Sequence, residues 1–363
     1  MTAKLVVAVL FGGRSSEHSI SCVTARGVLG SMDRDRYDVI PIGITREGAF
    51  TLVTSDVDDY RLEANALPEV EDNGTRIQWP QSTPSRELFV VEGDAKRSLG
   101  VVDIVFPIVH GPYGEDGTLQ GMLDMCGLPY VGSGVLASSL GMDKHFTKTI
   151  VERSGIAVAP WRTIARDEWH AKPKAVRAVL EQMALPVFVK PSRAGSSVGV
   201  SKVSHWDELS RALDVAFAED DRALVEETIV GREVECAVLQ ARTGTPTRAS
   251  VAGEIVITGR EFYDFEAKYL DAPGIELLCP APLSGPQLAE LQALSIRAFE
   301  AIGAAGLARV DFFLTEHGFV FNEINTMPGF TPISMFPRCW QESGLSYRDL
   351  IDELISVALD RQH

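Results

Sequence analysis

No stretch of this chain is apolar for long enough to cross a bilayer. There are no internal repeats and no low-complexity tracts. Cysteine is scarce, with five in 363 residues. Cys22, Cys126, Cys236, Cys279 and Cys339 are scattered, odd in number and without metal-ligand spacing. That excludes a disulfide framework or a zinc ribbon and favours reduced thiols in a cytoplasm. Basic residues are outnumbered, 34 Lys and Arg against 50 Asp and Glu, for a net charge of −16. Nucleic acid is therefore a poor partner. An anionic nucleotide would need lysine, arginine, backbone N–H groups and metal placed locally. The dinucleotide fingerprint is also missing. GGRSSE after the first apolar run is a lone glycine pair, and no GK[ST] loop precedes a helix. What remains is a globular composition, 45% apolar and 23% charged, with length for two or three domains.

The strongest positive signal is Gly306 to Pro332, GLARVDFFLTEHGFVFNEINTMPGFTP. ARVDFFL alternates Arg309, Asp311 and Phe313 against Val310, Phe312 and Leu314. FVFNEIN alternates Phe321, Glu323 and Asn325 against Val320, Asn322 and Ile324. A three-residue loop, Glu316-His317-Gly318, would make a hairpin with Thr315 opposite Phe319. Asp311 would then face Glu323, and Arg309 would face Asn325. Two carboxylates and an amide in one small volume need a cation or a proton between them. Hard oxygen donors suit Mg²⁺ shared with phosphate oxygens, and an arginine beside them suits a developing oxyanion. The alternative is a hairpin with a solvated acidic face.

Upstream, Lys4–Phe11 reads as a buried strand, turned by Gly12-Gly13 into a helix that buries Cys22. Glu17 lies in the first helical turn, where open α/β sheets bind ligands, or where it simply favours the helix dipole. Tyr37–Ile44 is a second strand. Residues 55–98 read as a polar excursion with short strands at Arg76–Trp79 and Glu87–Val91. Val101–Val109 is buried, and His110 at its end either meets a ligand or bonds backbone. Gly132-Ser133-Gly134 suggests a domain boundary, and a helix from Asp143 begins with Lys144. In LPVFVKPSRAGSSVGVSKV, Lys190 ends a strand and Ser192–Gly199 can cover an anion like a flap. Ser204 is expected to cap the next helix with Asp207 at the box position. Glu226 and Glu227 fall on opposite faces of a strand, with Glu233 and Glu235 following. Residues 258–279, holding Tyr263, Lys268 and Tyr269, read as a long loop that is either a lid or a surface connector. Helices over Ser284–Gly303 and Ser346–Asp360 complete the pattern.

The order of these motifs, from FGGRSSEHSIS through HGPYGEDGTLQG, MDK, VKP with its Gly/Ser loop and EE-x₂-V-G-R-E-V to R-x-D and NEINTMPG, resembles the ATP-grasp ligases. Within them it is similar to the D-alanine–D-alanine ligases, essentially end to end. The resemblance implies an α/β chain of three domains: a Rossmann-like N-terminal domain (1–131), a central ATP-grasp domain (132–222) and a C-terminal one carrying the metal site (223–363). It implies ATP and two Mg²⁺ ions, with Mn²⁺ able to substitute, held by Asp311, Glu323 and Asn325. Lys144, Lys190, Lys268 and Ser197 would contact phosphates, Glu226 the adenine and Glu233 the ribose. Glu17, Ser196 and Tyr269 would gather at the first D-alanine. Arg309 and the Gly329 N–H would hold the oxyanion, with His110 and Ser334 at the substrates. A homodimer is implied, with D-alanine as the small-molecule partner. The competing readings are a ligase for another acceptor, such as D-lactate, and a nucleotide-binding regulator without turnover.

Overall fold

The computed structural model describes residues 3–54, 60–61, 67–195, 197–257 and 274–361. The N-terminal apolar run forms β1 (Leu5–Gly12), buried on both sides from Val7 to Phe11. A strand covered on both faces needs no alternation. It is followed by α1 (His18–Ser31), then β2 (Tyr37–Ile44), parallel to β1, and β3 (Phe50–Leu52), antiparallel to β2. Gly12 turns the chain at φ 88°, and an added Cβ there would lie 2.4 Å from the Ile44 carbonyl oxygen. Only glycine fits that approach.

The polar excursion holds a separate three-stranded antiparallel sheet, β4 (Thr75–Gln78), β5 (Glu87–Glu92) and β6 (Ala95–Val101). The sequence shows only the first two. AKRSLGV in β6 is mostly exposed, so it carries no apolar alternation. The expected strand at Val101–Val109 is correspondingly shorter, β7 (Ile104–Pro107), parallel to β1. Next comes α2 (Thr118–Cys126), which Gly127 ends in the left-handed conformation.

α3 (Val135–Met142) and α4 (Lys144–Arg153) follow. Their Ala137 and Val151 share a core with Val310, Phe312 and Phe321 of the last sheet. The second sheet begins only at β8 (Trp161–Ala165). After α5 (Arg166–Ala171) and α6 (Pro173–Leu180) come β9 (Val187–Pro191), β10 (Ser201–Val203), α7 (Leu209–Glu219) and β11 (Arg222–Glu227). The strand order is β10-β9-β11-β8. Because β11 pairs with both β8 and β9, a division after residue 222 would cut it from the sheet it completes. Residues 137–158 send their apolar side chains into the core of the last sheet, while Asp143, His145 and Lys148 pair with Ser192, Thr163 and Glu226 of the second. The capping box before α7 uses Glu208, which accepts from the Ser204 and His205 N–H groups at 2.8 and 3.2 Å. Asp207 does not serve there.

The last sheet has the order β14-β13-β12-β15-β16. It comprises β12 (Arg232–Leu239), β13 (Arg248–Ile257), β14 (Ile275–Leu278), β15 (Leu307–Thr315) and β16 (Gly318–Asn325). Before β15 lies α8 (Gly285–Ala301), opened by a Ser284–Gln287 capping box. The chain ends with α9 (Met335–Glu342) and α10 (Tyr347–Asp360). These two do not stay with their own sheet. Leu350, Ile351, Leu354 and Phe336 enter one core with Val7, Val9, Phe11 and Phe106. First and last segments are thus packed together. Among the described residues no helix is long and apolar enough to cross a membrane.

The β15–β16 hairpin corrects the expected loop. Thr315 pairs with Gly318, so the turn has two residues, Glu316 and His317. The register then shifts at Asn322, an extra residue opposite the Asp311–Phe312 step. This bulge restores Asp311 opposite Glu323 and Arg309 opposite Asn325. It also turns Phe321 into the core, edge-on to Phe312 with centroids 5.7 Å apart. The strict alternation placed Phe321 with Glu323 instead. Phe321→Ala should therefore cost about 3–5 kcal/mol of stability in urea denaturation. A cost under about 1 kcal/mol would return Phe321 to the polar face.

Candidate active site

One cavity of about 1160 Å³ opens between the three larger sheets. The described residues lining it come from all of them. Glu17 and His110 come from the N-terminal layer, Lys144, Lys190 and Ser197 from the middle, and Glu233, Arg309, Glu323, Gly329 and Ser334 from the C-terminal part. Ser196, Lys268 and Tyr269, with Tyr263, lie outside the described residues.

The wall built by β12, β15 and β16 is acidic around one arginine. Arg309 donates through Nε and Nη2 to the two oxygens of Asp311, at 2.8 and 2.7 Å. Its Nε is 3.3 Å from Glu235, which pairs with Asp311 across β12 and β15. Burial works against the guanidinium charge, but Asp311 and Glu235 outweigh it and hold Arg309 well above its ordinary value. Asn325 Nδ2 lies between the carboxylates, 3.1 Å from Asp311 Oδ2 and 3.5 Å from Glu323 Oε1. An amide N–H₂, a dipole's positive end, occupies the spot a cation would take. A half-turn of the amide would present its oxygen instead, giving two carboxylates and a carbonyl, the donor set of a hard divalent ion. No group of three His, Cys, Asp or Glu forms a metal cluster among the described residues. Asp311 stands behind the lining side chains, 2% exposed.

The facing wall is basic. Lys190, at the end of β9, donates to Glu226 Oε2 at 2.7 Å, and Lys148 pairs with the other oxygen of the same carboxylate. Burial pushes Glu226 up, but Lys190 and Lys148 outweigh it and hold the carboxyl at about 2. Glu226 thus spends both oxygens on lysines. Its neighbour Glu227 points the other way and accepts from the Ala184 N–H at 2.8 Å. Lys148 escapes the sequence reading, although it follows Lys144 by four residues and so shares a helix face with it. Lys144 Nζ donates to the Ala194 carbonyl at 2.7 Å. Ser192 Oγ donates to Asp143 Oδ1 at 2.8 Å, and Arg193 forks onto Asp220. The base of the Gly/Ser loop is held on three sides.

That loop reaches the N-terminal layer. A Cβ added to Gly195 would lie 2.8 Å from Glu17 Oε2, and one added to Gly111 would lie 2.6 Å from it. Glu17 precedes α1 and is 7% exposed, so its carboxylate is pressed between two glycine backbones. His110 Nδ1 faces the Met327 carbonyl at 3.3 Å and Glu115 Oε1 at 3.4 Å, while Nε2 faces Thr24 Oγ1 at 3.1 Å. Burial opposes its charge, but Glu115 and Glu17 overcome that and raise it above its ordinary value. His110 thus meets the backbone, one of the two readings the sequence left open, and it also lines the cavity. Glu115 was hidden within GEDG, where glycines suggest only a turn. Ser334 precedes α9, and its Oγ accepts from the Thr331 N–H at 3.1 Å. Cys22 is buried, which pushes its thiol up to about 12.

Two family models divide the chain between them: D-ala D-ala ligase N-terminus over residues 6–133 and D-ala D-ala ligase C-terminus over residues 150–356. The chain belongs to the D-alanine–D-alanine ligase family. It is 49% identical to a D-alanine–D-alanine ligase of Arthrobacter sp. (strain FB24), covering 99% of this chain and 95% of that protein. It is 48% identical to the Streptomyces griseus D-alanine–D-alanine ligase, covering 98% and 93%. Among solved structures, the VanG D-Ala:D-Ser ligase of Enterococcus faecalis superposes with a TM-score of 0.85 at 35% identity, covering 98% of this chain and all of that one. The D-alanine–D-alanine ligase of Coxiella burnetii gives 0.80 at 34%, covering 99% and 94%. These neighbours carry the ATP-grasp architecture to this ligase.

The Glu226 ion pairs have a pH signature. A carboxyl held below its ordinary 4.5 contributes stability above that value and loses it as the pH falls toward 2. Glu226→Gln leaves two buried ammonium groups without their counter-charge and should cost about 3 kcal/mol near neutrality. Urea titrations of both proteins should show that gap closing between pH 4.5 and 2. A gap independent of pH would mean the carboxylate is not the origin.

Proposed function

We propose that this chain joins two molecules of D-alanine into D-alanyl-D-alanine, with ATP converted to ADP and phosphate, to supply a peptidoglycan precursor. The observation that carries the reading is the opposition of two walls in one cavity, Arg309 among carboxylates on one side and Lys144, Lys148 and Lys190 on the other. A carboxylate does not react with an amine at neutral pH. It must first take a phosphoryl group, and that transfer needs charge neutralised on both sides of the phosphate.

Glu17 takes the ammonium of the first D-alanine, which its buried carboxylate suits. Ser196 and Tyr269, which lie outside the described residues, are assigned to the same substrate, and His110 borders the subsite. The first carboxylate attacks the γ-phosphate of ATP, giving an acyl phosphate and ADP. Lys144 and Lys190, with the Ser197 backbone, face the phosphates, and Lys268, outside the described residues, is assigned to them as well. Glu233 meets the ribose. Glu226 borders the adenine while keeping Lys148 and Lys190 charged and in place. Asp311, Glu323 and Asn325 would hold Mg²⁺, two ions with Mn²⁺ as a substitute, which would supply Lewis-acid neutralisation of phosphate charge. Ser334, at the N-terminal end of α9, receives the second carboxylate, where a helix dipole favours an anion. The second amine then attacks the acyl carbon. Arg309 and the Gly329 N–H steady the oxyanion, and phosphate leaves. An acyl phosphate hydrolyses in water, so the Gly/Ser loop resting on Glu17 has a protective purpose. Five free thiols fit a cytoplasmic setting, and we include the family's homodimer in this reading.

ADP release with D-alanine, D-serine, D-lactate and L-alanine in turn tests the acceptor. D-Alanine with Mg²⁺ should give the highest turnover, and chelation should abolish it. Preferred use of D-serine or D-lactate would move the chain to another branch of the family. Glu323→Gln should lower ADP release by roughly tenfold or more and raise the Mg²⁺ concentration needed for half-maximal rate. An unchanged Mg²⁺ requirement would remove Glu323 from the metal site.

A further inference from the structure

Outside the charged walls, one pair of side chains has chemistry that the ligation does not use. Cys279, which follows β14, places its sulfur 3.6 Å from the sulfur of Cys339 in α9. Both are free thiols, Cys279 partly exposed and Cys339 fully buried. They are 60 residues apart in sequence, so the fold alone brings them together. Their surroundings divide the roles. Cys279 is lowered from its ordinary value by the hydrogen bond to Cys339 and by the nearby Arg338, despite partial burial, whereas Cys339 is raised. Arg338 also ties the two elements, donating to the Leu277 carbonyl at 3.2 Å. Leu277 on β14 and Ser334 and Met335 at the start of α9 all line the active-site cavity.

We propose that Cys279 and Cys339 form an oxidisable dithiol, a modification site that takes a hydroperoxide and closes to a disulfide joining β14 to α9. The Cys279 thiolate attacks the distal peroxide oxygen and the O–O bond breaks. The leaving oxygen departs as water once protonated, and Cys279 becomes a sulfenic acid. The Cys339 sulfur then attacks that sulfur, the S–O bond breaks and a second water leaves. Two thiols and one hydrogen peroxide give one disulfide and two waters. Cys279 is the more accessible, more acidic sulfur that reacts first, and Cys339 is the resolving one. Closing from 3.6 Å to a bond of about 2.05 Å brings the two sulfurs about 1.5 Å closer and ties β14 and α9, two cavity-lining elements, covalently. Shifts of even about an ångström passed to a substrate-positioning wall slow turnover several-fold or more.

The full-length protein, reduced and then exposed to graded hydrogen peroxide, is alkylated and mapped by mass spectrometry without reduction. The expected result is a Cys279–Cys339 cross-linked peptide, reversed by dithiothreitol. ADP release should fall at least about threefold on oxidation and recover on reduction. In Cys339→Ser, Cys279 should pass to the sulfinic acid because no resolving thiol remains. In Cys279→Ser, peroxide should leave turnover unchanged. The proposal is overturned if wild-type Cys279 stays alkylatable or goes to sulfinic acid without the cross-link. A cross-link with unaltered ADP release overturns the connection to the cavity. Because the cross-link is read by mass, its absence is separable from any error in the assigned ligation activity.

Discussion

The active-site half of this molecule depends on a single cation set among acids. Asp311, Glu235 and Glu323 lie on adjacent strands of one sheet face, and strand geometry gives them no room to separate. Arg309 is the internal counter-charge. Its fork onto Asp311 and its approach to Glu235 use up the planar donor edge, which a lysine could not match. The same packing leaves Glu323 and Asn325 towards the cavity. Arg309 therefore satisfies the buried carboxylate, and in the proposed reaction it leaves the outer oxygens for a divalent ion. One residue serves the fold and the chemistry through the same hydrogen bonds.

The basic wall inverts that plan. Three lysines in a low-dielectric cavity would repel each other without a substrate. Glu226 takes two of them, Lys148 and Lys190, and Lys144 turns to the Ala194 carbonyl. In the proposed reaction a nucleotide arriving there would exchange partners rather than meet bare charge. This explains how a chain of net charge −16 presents a polyanion site: positive charge is concentrated at one place by burial and pairing, while the remaining surface carries the excess of acids.

The face of the hairpin was legible in the sequence even though its loop was not. A three-residue loop without a bulge and a two-residue loop with one bring Asp311 opposite Glu323 alike. They differ at Phe321, and local patterning cannot decide that, because phenylalanine suits either side. Lys190, Glu226 and the separate faces of Glu226 and Glu227 follow from period-two alternation. Lys148 and Glu115 were missed for a common reason. Each is singled out only by a partner distant in sequence, Glu226 in one case and His110 in the other. The strand β6 was missed because an exposed strand need not be apolar. Where the chain crosses between layers, composition leaves no mark: α3 and α4 send apolar side chains into the core of the last sheet, and β11 completes the second.

The packing of the two chain ends has a mechanistic consequence. Glu17 belongs to the N-terminal layer, while Arg309, Gly329 and Ser334 belong to the last part of the chain. In the proposed reaction both groups hold one small substrate pair at near-bonding separation, where an error of an ångström is costly. The shared core of β1 and β7 with α9 and α10 fixes that distance through rigid, close-packed apolar contacts. The second sheet stands outside this core, with its own cluster around Val187, Val189 and Leu213. The Gly/Ser loop touching Glu17 is carried by that separate body. In the proposed reaction the fixed pair of layers would set substrate geometry, and protection from water would come from the layer with its own apolar cluster. A reaction that must hold its reactants still and yet admit and release a nucleotide calls for that division.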